Sequence, residues 1–201
     1  MLQERERKVL KLLRQAGVDS LEKQHILEIG CGHGLWLREF IKWGAQPEHL
    51  TGVELLPERA EQARRLSPHG VNVLCGNAAS LAFPDGTFDL VVQSTVFTSM
   101  QDTGLKRQVA AEMARLVRPS GLILWYDFRV NNPWNPDVTG VRKKEILELF
   151  SGCHVSLCSI TLAPPLVRRL AGWSWLLCHL LAAIPFLCTH YMGIIRKDKS
   201  A

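Results

Sequence analysis

Three glycines, Gly30, Gly32 and Gly34, follow directly on the short run 25–29, in the stretch LEIGCGHG. A run of that kind ending at glycine predicts a buried strand. The glycines predict a sharp turn into a helix, and without a Cβ they let a ligand approach the backbone. The exposed N–H groups of such a helix start favour an anionic ligand group. A tight turn with no ligand uses the same residues, so spacing has to discriminate. A dinucleotide loop reads G-x-G-x-x-G. Here the pattern is E-x-G-x-G-x-G, with Glu28 ahead of the glycines and the third glycine one residue early. An acid in that position repels a pyrophosphate and attracts an ammonium. A ligand with a ribose, an adenine and an amino-acid end fits better than a nicotinamide dinucleotide.

The rest of the chain alternates strand and helix signals. Residues 4–16 carry a charged face and an apolar stripe at Val9, Leu10, Leu12 and Leu13, with Gly17 as a stop. Strands are predicted at 25–29, 50–55, 71–75, 88–93, 122–128, 155–162 and 191–196. Helices are predicted at 34–43, with Leu35, Phe40, Ile41 and Trp43 inward, and at 57–66, opened by Pro57. Further helices are predicted at 104–117, ended by residues 119–121, and at 142–150. This order predicts a single α/β domain over residues 1–201: a Rossmann-like, seven-stranded, mostly parallel sheet with helices on both faces and the last strand antiparallel. Ligands in such sheets bind at the carboxyl ends of the strands, where strand order reverses.

Two further anchors suit that ligand. Glu54 closes the second strand, where a carboxylate can accept from both ribose hydroxyls. Asn77 and Ala78 end the third strand, where a polar side chain and a backbone N–H can hold an adenine edge. Pro84, Asp85 and Gly86 then form a turn.

These anchors, together with L-x-F-P-D-x-x-F-D at 81–89, resemble the class I S-adenosylmethionine-dependent methyltransferases, in particular the small-molecule branch called type 11. The resemblance covers residues 25–127. It implies that Glu28, Gly30, Cys31, Gly32 and Gly34 wrap the methionine part of S-adenosylmethionine. Glu54, with Leu55 beside it, would bind the ribose. Asn77 and Ala78 would meet the adenine, and Gln93 would lie by the methyl donor. The family usually has Asp where this chain has Asn77, which keeps an acceptor and loses a charge.

Methyl transfer by in-line displacement needs alignment above all, and a base only if the acceptor must lose a proton. The polar stretch 126–136 follows the fifth strand. Asp127 is the candidate base there, or a turn cap. Tyr126, Arg129, Asn131 and Asn132 are candidates for orienting the acceptor, or turn residues. His33, within the glycine loop, is a candidate gate. The acceptor is expected to be a small molecule or lipid-linked, for example a sugar. A protein that binds the cofactor without catalysis and acts through a partner would keep the same anchors.

The net charge of +5 is spread over helices and tails, and QSTVF follows the fourth strand in place of an N/D-P-P-Y/F motif. A nucleic-acid partner is therefore not expected. Six cysteines without C-x-x-C or zinc-ligand spacing, and a charged start, point to a reducing cytoplasm, with no metal. Residues 170–188 form an apolar stretch interrupted by Gly172 and Pro185. It falls within an expected helical insertion, 164–188, before the last strand. Three readings stay open: a membrane span, a buried helix, or a lid over the cofactor cleft. The lid would carry Trp173, Trp175, Leu176, Leu180 and Phe186, with Arg168 and Arg169 upstream, and could touch a membrane surface.

Overall fold

Buried strands organise the molecule, whose computed structural model describes residues 2–131, 135, 137–170 and 172–198. The strands are β1 (Ile26–Ile29), β2 (Leu50–Glu54), β3 (Asn72–Cys75), β4 (Phe88–Ser94), β5 (Val117–Phe128), β6 (Cys153–Leu162) and β7 (Cys188–Lys197). They form one seven-stranded sheet in the order β3-β2-β1-β4-β5-β7-β6. β1 pairs in parallel with both β2 and β4, so strand order reverses at β1. β7 is antiparallel to both β5 and β6. β6 therefore runs with the other five, as expected, and its carboxyl end lies on the same rim as theirs.

The helices are α1 (Leu2–Gln15), α2 (Leu35–Lys42), α3 (Pro57–Leu66), α4 (Thr103–Leu116), α5 (Lys143–Leu149), α6 (Pro164–Leu170) and α7 (Trp175–Ala182). β5 shows why both faces are covered. Leu122, Leu124 and Tyr126 point into one core with Val9, Trp36, Phe40 and Ala60, while Ile123 and Trp125 point into the other with Val109, Met113 and Ile146. Successive side chains of a strand face opposite sides, and here both sides are apolar.

Local details differ from expectation. In α2 the buried residues are Trp36, Leu37 and Phe40, while Leu35 is largely exposed at the first turn. The turn at residues 118–121 lies inside β5 rather than ahead of it. Val117 already pairs with Phe88, and the register then shifts so that Leu90 meets Leu122. β6 and β7 are longer than expected because they pair along their whole length, from Cys153–Lys197 to Leu162–Cys188.

The apolar stretch breaks into α6, α7 and a 3-10 turn, Pro185–Leu187. Among the described residues no helix is long and apolar enough to cross a membrane. Nor is the insertion buried: Trp173 is 92% and Phe186 78% exposed. It is tied to the sheet edge, where the Ala163 N–H donates to the Leu187 carbonyl at 2.9 Å. The Arg129 guanidinium donates to the Pro185 carbonyl at 2.7 Å. The side chains of Trp175 and Leu176 lie outside the described residues. All six cysteines are free thiols.

Candidate active site

A cavity of about 730 Å³ opens at the carboxyl ends of β1, β2 and β4, where strand order reverses. Its floor is the loop between β1 and α2. Gly30 has φ +64°, and a Cβ there would stand 2.5 Å from Val96 Cγ2, so both the turn and the close approach of the next loop demand glycine. Gly34, at φ 70°, then caps α2.

Glu54 ties the second strand to that floor. Its Oε2 accepts from the Gly32 N–H at 2.8 Å and its Oε1 from the Leu56 N–H at 3.0 Å. Each carboxylate oxygen can accept a second hydrogen bond. The side chain lines the cavity while only 6% exposed. The result is a rigid pair of acceptors, suited to two neighbouring hydroxyls.

Glu28 also lines the cavity, and its buried Oε2 has no hydrogen-bond partner among the described residues. Burial pushes its carboxyl well above the usual range, with the Glu54 charge adding to the effect and Arg38 and Arg5 opposing it. A carboxyl oxygen without a partner, beside a cavity, is suited to a ligand cation. Cys31 closes the wall between the two acids. Burial, then the neighbouring Glu28 and Glu54, push its thiol up to about 12, so it stays a neutral wall.

Leu55, Asn77 and Ala78 complete the far side. Asn77 Oδ1 accepts from the Ala79 N–H at 3.0 Å, a local turn bond that leaves one lone pair of the amide oxygen for a ligand. This loop is anchored to α4. Glu112 accepts from the Leu81 N–H at 2.7 Å, and Arg115 donates to the Leu81 and Phe83 carbonyls and to Asp85. Glu112 and Arg115 of α4 thus clamp the loop that carries the L-x-F-P-D pattern.

The β4 exit departs from expectation. Gln93 is fully buried, does not line this cavity, and accepts from the Val96 N–H at 3.3 Å. It shapes the loop from behind, and Ser94, Thr95 and Val96 form the wall in its place. Thr95 holds φ 56°, costly for a β-branched residue, with its N–H on the Tyr126 carbonyl at 2.8 Å.

Asp127 faces inward rather than toward an acceptor. It is 0% exposed. Its Oδ2 accepts from the Phe97 and Thr98 N–H groups at 3.0 and 3.4 Å, and its Oδ1 from the Phe128 N–H at 2.8 Å. Burial outweighs these donors and raises its carboxyl to about 6. A base must reach the proton it removes, and this carboxylate instead caps the 3-10 turn Phe97–Ser99.

The other candidates at the end of β5 and beyond it are structural ties. Tyr126 stacks on His190 at 4.7 Å, with its hydroxyl 3.3 Å from Thr161 Oγ1. Arg129 donates to Ser159 Oγ at 3.0 Å as well as to Pro185. Asn131 Oδ1 accepts from the Gly140 N–H at 2.9 Å. None of these three lines the cavity, and Asn132 lies outside the described residues. No described residue of the insertion lines it either. His33 does, together with a residue the sequence did not single out, Arg5. Arg5 lies 4.7 Å from the Trp36 ring centroid and 5.6 Å from that of Tyr126, so α1 supplies part of the cavity wall.

Comparison with known proteins agrees with this geometry. Residues 26–121 match the family described as a methyltransferase domain. The chain is 32% identical over 116 residues to 2-methyl-6-phytyl-1,4-hydroquinone methyltransferase of Synechocystis, covering 56% of this chain and 35% of that protein. It is 33% identical over 112 residues to fatty-acid O-methyltransferase of Mycolicibacterium smegmatis, covering 54% of this chain and 39% of that one. The chain thus spans little more than a third of the length of these relatives. A crystal structure of a SAM-dependent methyltransferase from Methanosarcina mazei superposes with a TM-score of 0.67 at 18% identity, covering 89% of this chain and 94% of that one. At that identity the likeness shows the shared fold.

Proposed function

We propose that this chain, whose residues 26–121 match the methyltransferase domain family, transfers the methyl group of S-adenosylmethionine to a small apolar or lipid-linked acceptor. The observation that carries the reading is the pair of acids in the cavity. Glu54 presents two fixed acceptor oxygens, and Glu28 an oxygen without a partner. A ribose diol matches the first and the ammonium of an amino-acid end matches the second. Asn77 and Ala78 are placed for the adenine edge, and the glycine loop lies against the methionine chain.

When bound, S-adenosylmethionine brings its own leaving group on a sulfonium, so the protein's task is alignment. The floor and the Ser94–Thr95–Val96 wall hold the donor end in one orientation, and such positioning is worth about 7–11 kcal/mol of a displacement barrier. Glu28 and Glu54 are committed to the cofactor, and Asp102 caps α4 through the Gly104 N–H. His33, at the cavity wall, is placed to contact the acceptor.

The acceptor class rests on two supports. Leu35, Leu55 and Leu56, at the cavity, are exposed. The phytyl-hydroquinone and fatty-acid methyltransferases among the relatives act, by their names, on molecules with long apolar chains. The same reading includes peripheral membrane contact through residues 170–188.

The test is a transfer assay with methyl-labelled S-adenosylmethionine. Acceptors would be prenylated hydroquinones, free fatty acids and lipid-linked sugars, with their short water-soluble counterparts as controls. Label in an apolar product supports the reading. Label confined to the soluble counterparts overturns the acceptor class, and no label in any product overturns the activity.

A further inference from the structure

The exposed apolar side chains are gathered on one rim. Among the described residues, eleven large apolar side chains are exposed, and eight of them stand at the carboxyl ends of the parallel strands. Leu35, Leu55 and Leu56 lie at the cavity. Val130 follows β5, and Trp173, Leu177, Leu180 and Phe186 lie in the insertion between β6 and β7. The other three, Leu10, Leu66 and Leu147, are scattered on helices elsewhere. Isolated exposed leucines need no explanation, but a clustered set marks an interaction surface.

Charge selects the partner. No Asp or Glu occurs between residues 149 and 197. Arg168 and Arg169 occupy the last turn of α6, directly before the exposed tryptophan. Within the insertion, apolar and aromatic side chains preceded by two arginines, with no acid in its own sequence, match the interfacial layer of an anionic bilayer. The helices there are too short to span a membrane, so the segment would lie on it.

We propose that this rim docks on an anionic membrane surface, with the insertion as its main foothold and the cavity mouth as its second. Because β6 runs with the strands that build the cavity, one docked orientation turns both toward the lipid. A lipid-borne acceptor then reaches the cavity without crossing water. The inference rests on the proposed acceptor class for its purpose, though not for its test.

The test is sedimentation of the full chain with vesicles of phosphatidylcholine, with and without phosphatidylglycerol. The protein is expected to sediment with the mixed vesicles and to be released by salt. The double variant W173E/F186E is expected to lower partitioning by about tenfold or more. R168Q/R169Q is expected to lower it about fivefold per charge, on the mixed vesicles alone. Neither variant touches the cavity, so both should bind S-adenosylmethionine like the wild type, which also shows that they fold. Vesicle binding that persists in E54A supports the inference independently of the methyltransferase reading. A wild-type protein that stays in the supernatant with mixed vesicles overturns it. So does loss of self-association in W173E/F186E with no lipid binding by the wild type, which would assign the face to a second copy of the chain.

Discussion

The Gly32 N–H donates to Glu54 Oε2 at 2.8 Å, joining the glycine loop to the tip of the neighbouring strand. The bond makes Glu54 and the glycine loop one rigid unit. Replacing Glu54 with Ala should therefore remove both ribose acceptors and free the loop. Hydrogen bonds to a charged group are worth about 1.5–3 kcal/mol each. Calorimetry should show S-adenosylmethionine affinity falling at least about a hundredfold, with E54Q intermediate because one oxygen remains.

Glu28 gives a prediction of opposite electrostatic character. With no cation beside it, burial favours its protonated form. A ligand ammonium beside it favours the carboxylate, so cofactor binding should release a proton. The apparent affinity should rise with pH, and calorimetric heats should differ between buffers of low and high ionisation enthalpy. E28Q should abolish that buffer dependence.

Gly30 should tolerate no side chain. An added methyl would stand 2.5 Å from Val96 Cγ2 at φ +64°. Left-handed strain of about 1–2 kcal/mol and overpacking of about 1–3 kcal/mol add up. G30A should melt about 5–15 °C lower than wild type and bind cofactor poorly. Gly17 is the control: it also has positive φ, at +87°, but nothing lies within 4 Å of its added Cβ. G17A should cost only the strain.

Asp127 and His190 set opposing pH dependences. Burial raises Asp127 to about 6 and lowers His190 to about 4. The Asp127 contribution to stability is full below its unfolded value of about 3.9 and is lost as pH rises through about 6. The His190 contribution is full above its unfolded value of about 6.5 and is lost as pH falls through about 4. D127N removes the first and keeps the second. Its deficit relative to wild type should be larger at pH 4 than at pH 7 by about 2–3 kcal/mol, read from denaturant melts. A turn cap predicts an unchanged pH profile of turnover in D127N, whereas a base predicts loss of one limb.

The mostly parallel sheet with its antiparallel last strand, and the glycine loop and Glu54 at the cavity, were legible because local rules govern them. Glycine spacing, the acid after β2 and the alternation of apolar runs each act over a few residues. The acceptor side was not legible. Asp127 reads in sequence as either a base or a turn cap, and the turn Phe97–Ser99, some thirty residues away, supplies two of its hydrogen bonds. Arg129 reads as a substrate ligand, and its partners Ser159 and Pro185 come from β6 and the insertion. Arg5 sits on the charged face of α1, where composition gives no sign that it will meet Trp36 and the cavity. In the 81–85 pattern the sequence offered motif residues; the structure shows a clamp, made by Arg115 from α4.

The most direct measurement is a crystal structure of the chain soaked with S-adenosylhomocysteine. The account predicts both ribose hydroxyls within hydrogen-bonding distance of the Glu54 oxygens, and the amino group against Glu28. A ribose bound away from Glu54, or an empty cavity at saturating ligand, would contradict it.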